Sequence, residues 1–169
     1  AQSLSRIEFK LELNGLKSIM DEQAVSLGRI EGGFLELNGL TSITDGQAEG
    51  LSWLEGSLML NGLTSITDAQ AKSLIRVPHL CLDGLTSISD EQAKILGNVA
   101  PHENGGRRLS LNGLRSITDK QAESLSKLKF LSLKGLFSIT DAQAKSLAKI
   151  ELVYIRYNNY ELIQGYKKP

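Results

Sequence analysis

Apolar and polar residues alternate in short bursts along this chain, and the bursts recur. Leu11/Leu13, Leu35/Leu37, Leu58/Leu60, Leu80/Leu82, Leu109/Leu111 and Leu131/Leu133 are pairs with one residue between them. That is the period of a short strand with one face buried. Asn-Gly or a close variant follows each pair and predicts a break, since glycine tolerates backbone angles other residues resist. Beyond the break, Ala and Leu recur three apart (Ala24/Leu27, Ala48/Leu51, Ala71/Leu74, Ala93/Leu96, Ala122/Leu125, Ala144/Leu147), on one face of a helix. Thr44, Thr67, Thr118 and Thr140 stand three residues before Gln47, Gln70, Gln121 and Gln143, and Ser89 stands three before Gln92. This is the spacing of a capping box, in which a hydroxyl accepts from the third helical amide and the Gln reaches back. Met20 interrupts the box in the first copy, where Asp21 becomes the candidate cap. Helices of ~10 residues do not stand alone in water. The pattern therefore predicts that each strand and helix packs on the next.

Aligned on Asp21, Asp45, Asp68, Asp90, Asp119 and Asp141, the copies are spaced 24, 23, 22, 29 and 22 residues apart. They share the phrase L-x-L-[NDK]-G-L-x-S-I-[TSM]-D-x-Q-A-x-x-L. One strand and one helix per copy, stacked in one direction, predict an α/β parallel solenoid. The runs Leu128-x-x-Leu131-x-Leu133 and Val77-x-x-Leu80-x-Leu82 resemble the leucine-rich repeat core L-x-x-L-x-L. The Ile-Thr-Asp followed by Ala and Leu is similar to the cysteine-containing subclass of that family. Where that subclass places Cys or Asn, this chain has Leu16, Leu40, Leu63, Leu85, Leu114 and Leu136, and only Asn158 restores the Asn.

The resemblance implies a leucine-rich-repeat solenoid with parallel strands on a concave face and short helices on a convex one. About six full repeats over 11–149 would lie between a partial first repeat at 1–10 and a divergent, Tyr-rich unit at 150–169. Ala1–Ile7 aligns with Ala122–Leu128, the second half of a repeat helix, so the expectation is a fragment or domain of a larger protein.

Charge and composition narrow the function. Lys plus Arg equals Asp plus Glu, 19 against 19, so no global field favours nucleic acid. No apolar run approaches the ~20 residues of a membrane-spanning helix, and a monomer without membrane insertion is expected. Cys81 is the only cysteine, which excludes an internal disulfide and a cysteine metal cluster. Two histidines, one cysteine and serines that recur with the repeat assemble no catalytic set, so no enzyme, metal or cofactor is expected. The recurring aspartates sit at predicted helix N-termini, where the helix dipole favours them. They lack the second acidic ligand a calcium site needs.

Strand alternation sends three columns of side chains to the open face. The first two vary among otherwise uniform copies, and leucine-rich repeat proteins commonly bind partners on this face. The candidate partner-binding residues are Phe34, Glu36, Met59, His79, Cys81, Arg108, Phe130 and Tyr154. The third column (Asn14, Asn38, Asn61, Asp83, Asn112, Lys134, Arg156) reads as amides bonded along the stack, with a grip on peptide or sugar as the alternative. An insertion near 100–108 carries His102 and the pair Arg107-Arg108; it is either a rim recognition element or a tolerated loop. Trp53 falls on a predicted convex helix face. The expectation is a non-enzymatic protein–protein interaction scaffold, with a structural spacer or surface array as the alternative. A third idea, ice or polysaccharide binding along the Thr/Ser rows, requires free hydroxyls on a flat face.

Overall fold

A computed structural model of the chain describes residues 9–98 and 107–167. The half-helix expected at the start and most of the 100–108 insertion, with His102, lie outside the described residues. Strands and helices alternate throughout: β1 Lys10–Glu12, α1 Asp21–Gly28, β2 Phe34–Glu36, α2 Asp45–Leu51, β3 Ser57–Met59, α3 Asp68–Leu74, β4 His79–Cys81 and α4 Asp90–Gly97. They continue as β5 Arg108–Ser110, α5 Asp119–Leu125, β6 Phe130–Leu133, α6 Asp141–Leu147, β7 Leu152–Ile155 and α7 Tyr157–Lys167. The seven strands form one parallel sheet in chain order, the architecture of an α/β solenoid. The divergent last unit joins the sheet as β7 and ends in the longest helix, 11 residues.

Register follows the leucines. Leu11, Leu35, Leu58, Leu80, Leu109, Leu131 and Val153 stand opposite one another across successive strands. The leucine that replaces a polar residue in each turn is buried at Leu40, Leu63, Leu85, Leu114 and Leu136, all 0% exposed. Only Leu16, in the first unit, is open to solvent. In the last unit the expectation shifts by one residue: Asn158 is exposed, and the buried amide is Asn159, which donates to the Leu136 carbonyl at 3.3 Å.

The first six helices span only seven or eight residues, shorter than the pattern predicts, so their caps carry much of the local order. At α2 the Thr44 hydroxyl accepts from the Gln47 amide at 3.0 Å, while Gln47 Oε1 accepts from the Thr44 amide at 3.0 Å. The same pair of bonds closes α3, α4, α5 and α6. In α1 only the Gln half survives, with Met20 N–H donating to Gln23 Oε1 at 2.8 Å. Asp21 is the first helical residue, not the substitute cap, because its carboxylate turns to the next unit and accepts from Thr44 Oγ1 at 3.0 Å. Met20→Thr should therefore restore the missing bond and stabilise the fold by ~1 kcal/mol, measured by urea denaturation against the parent.

The recurring glycine has a different reason from the one its dipeptide suggests. Among the described residues only Gly32 and Gly33 have positive φ, and neither belongs to the repeated Asn-Gly. A Cβ on Gly84 would instead lie 2.4 Å from both the Asn61 and Leu63 carbonyl oxygens of the preceding turn. Gly39, Gly62, Gly113 and Gly135 face the same backbone wall. The phrase keeps glycine because stacked turns approach too closely for any side chain.

Candidate functional site

The parallel register converts sequence columns into rows of neighbours. Lys10, Phe34, Ser57, His79, Arg108, Phe130 and Leu152 stand side by side, as do Glu12, Glu36, Met59, Cys81, Ser110, Ser132 and Tyr154. Between β2 and β7 these rows line a shallow, mostly apolar trough of about 200 Å³. It brings together seven of the eight candidates: Phe34, Met59, His79, Cys81, Arg108, Phe130 and Tyr154. Ser57, Ser110, Ser132 and Leu152 from the same columns also line it.

Glu36 is the exception. Its carboxylate accepts from Asn14 Nδ2 at 2.9 Å and pairs with Lys10 Nζ at 3.1 Å, which also pairs with Glu12 at 2.6 Å. Hydrogen bonds from Asn14 and then Lys10 lower the Glu36 pKa, and bonds to Glu12 and Glu36 raise that of Lys10. This closed cluster at the β1–β2 end holds Glu36 out of the trough.

Two polar groups in the trough floor are shifted toward their neutral forms. Burial, aided by the Arg108 charge, lowers the His79 pKa and favours its neutral imidazole. His79 Nδ1 lies 3.3 Å from the hydroxyl of buried Ser57. This is a serine–histidine contact without the orienting carboxylate that would complete a nucleophilic set among the described residues.

Burial, and secondarily the Asp83 charge, pushes the Cys81 thiol up to about 11. Alkylation of Cys81 by iodoacetamide should consequently be slow at pH 8 and accelerate with a midpoint about 11. The sign for stability follows. An unfolded thiol loses its proton near ~8.5, whereas the folded one keeps it to about 11, so the native state binds more protons between. Stability contributed by this residue is lost as pH rises through that window, and Cys81→Ala should remove that part of the slope.

The third column is a ladder along the stack. Asn14 Oδ1 accepts from the Asn38 amide, Asn38 Oδ1 from Asn61 and Asn61 Oδ1 from Asp83, each at 3.0 Å. Asp83 Oδ1 and Asn112 Oδ1 continue it to the Asn112 and Lys134 amides at 2.9 Å. These side-chain oxygens are engaged in stiffening the stack, as the sequence reading favours. The Thr hydroxyls are engaged too. Besides capping its own helix, Thr44, Thr67, Thr118 and Thr140 each donate to the aspartate of an earlier unit (Asp21, Asp45, Asp90, Asp119) at 3.0 Å. Four of the six recurring aspartates thus accept from threonine, and no group of three metal-ligating residues occurs among the described residues.

Sequence columns missed one part of this surface. Phe137 lies between two guanidinium groups, Arg115 at 5.5 Å and Arg156 at 4.8 Å from its ring centre. Both Arg115 and Phe137 occupy the variable position after Gly-Leu, where Lys17 stands in the first unit and Thr41, Thr64 and Thr86 in the next three. That switch is the available signal. Trp53 is exposed, but in the turn after α2 and not on a helix face. No helix among the described residues is long and apolar enough to cross a membrane. No family model matches the chain, and no curated protein matches it.

Proposed function

We propose that this chain is a recognition scaffold of the leucine-rich repeat kind, non-enzymatic, binding a protein partner on the open face of its sheet. One observation carries the reading: from β3 onward, and with Phe34 of β2, the varying side chains of the first two columns line one apolar trough, while repeated Asn and Thr side chains are engaged in holding the stack. Exposed Phe34 and Tyr154, with Phe130 and Arg108, are residue types that anchor interfaces. The uniform junctions favour a rival reading, a spacer that binds nothing in particular. Affinity capture from source-cell extract separates the two. The parent chain is compared with Phe34→Ser, Met59→Ser, Arg108→Ser and Phe130→Ser combined, both checked by circular dichroism. A partner held by the parent and lost by the folded variant is the expected result; equal capture by both, or none by either, rejects the open-face reading.

A further inference from the structure

The open face is electrically lopsided. At the β1–β2 end Lys10 is closed into an ion pair with two carboxylates, Glu12 and Glu36. At the β5–β7 end four cations lie over aromatic rings: Arg108 over Phe130 at 5.0 Å, Lys134 over Tyr154 at 5.6 Å, and Arg115 and Arg156 over Phe137. None of these four forms an ion pair with a carboxylate among the described residues, unlike Lys10. A guanidinium lying on a ring is held by its face and keeps its in-plane N–H groups for a planar, bidentate acceptor. Arg156 uses Nε on the Lys134 carbonyl at 3.0 Å, which leaves both terminal nitrogens. The apolar trough abuts this cluster through Phe130 and Tyr154.

Building on the open-face reading, we propose that the partner presents an extended acidic segment with a bulky apolar anchor. The anchor fills the trough beside Phe130, and Asp or Glu carboxylates meet Arg108, Lys134 and Arg156. The binding has a polarity: the acidic end of the segment lies over β5–β7, because Glu12 and Glu36 repel it from the other end. A nucleic-acid backbone fits less well. Its regular phosphates need a continuous cationic stripe, and here Asp83 and Glu36 interrupt the adjoining columns.

Selection of a random twelve-residue peptide library on the intact chain tests this directly. The expected winners carry an aromatic or aliphatic residue and two or more Asp/Glu on one side of it. Their Asn/Gln counterparts should bind about tenfold more weakly, the loss of a charge-assisted pair. Arg108→Gln with Arg156→Gln, confirmed folded by circular dichroism, should abolish that preference, whereas Lys94→Gln on α4 should leave it unchanged. Winners without acidic enrichment whose binding Phe130→Ser destroys would overturn the acidic segment and leave the open-face reading standing. Oligo(dT) displacing the acidic winners at lower concentration than they bind would replace the carboxylate with a phosphate polyanion. Failure to enrich any peptide over the Phe34/Met59/Arg108/Phe130 serine variant would sink this inference and count against the open-face reading as well.

Discussion

Gly84→Ala is expected to cost ~3 kcal/mol, the upper end of what overpacking a tight site does. The added methyl would meet two carbonyl oxygens of the preceding turn at 2.4 Å, and both belong to backbone fixed by the same stack. No flexible side chain is available to yield. In a domain of this size the melting temperature should fall by ~6–12 °C. Gly15→Ala supplies the control: nothing lies within 4 Å of a Cβ there, so the change should stay within ~0.5 kcal/mol. Equal melting of Gly84→Ala and the parent would show that close approach is not what the phrase's glycine provides. Parallel melts of both variants decide it.

The second large effect belongs to a glutamine. Gln121 is buried, 8% exposed, and its amide serves two units at once. Its oxygen accepts from the Thr118 amide at 2.9 Å, and its nitrogen donates to the Ile88 carbonyl of the preceding unit at 2.9 Å. Gln121→Leu keeps the volume and removes both bonds, stranding one donor and one acceptor. At ~1–3 kcal/mol for each buried group left unpaired, the combined loss should be ~3 kcal/mol. Gln23→Leu loses only the exposed bond to the Met20 amide and should cost ~1 kcal/mol. Hydrogen exchange at the Thr118 amide adds a local readout. Faster exchange in Gln121→Leu is expected, and unchanged protection together with unchanged stability would refute the two-unit role.

The contrast between these residues explains how much was legible from the sequence. Leucine pairs, caps and helix faces are properties of one unit, written in spacings of two and three, and they predicted the seven-stranded parallel solenoid correctly. The asparagine ladder was also legible, since identical amides at one position per unit must become neighbours once units stack. The donation from Thr44 to Asp21 was not, nor the reach of Gln47 Nε2 to the Ile19 carbonyl at 2.8 Å. Such bonds join residues more than 20 positions apart, and their partners depend on the offset between turns, which composition does not encode. The glycine was misread for the same reason: its constraint comes from the preceding unit and not from its own φ.

For the candidate site, alternation predicted which side chains share the open face. It did not predict that Lys10 and Asn14 would draw Glu36 aside. Nor did it reach Arg115 and Phe137, which lie beyond the strands in turns where period-two reasoning has stopped.

The threonine–aspartate and glutamine–carbonyl bonds have a consequence for ancestry. Both partners in each bond come from the common phrase, so a newly duplicated copy arrives already equipped to dock on either neighbour. Recombination between copies can lengthen or shorten the array without inventing any contact, and copy number becomes a heritable variable nearly independent of foldability. Natural variants of this array should therefore differ first by whole units of 22–24 residues.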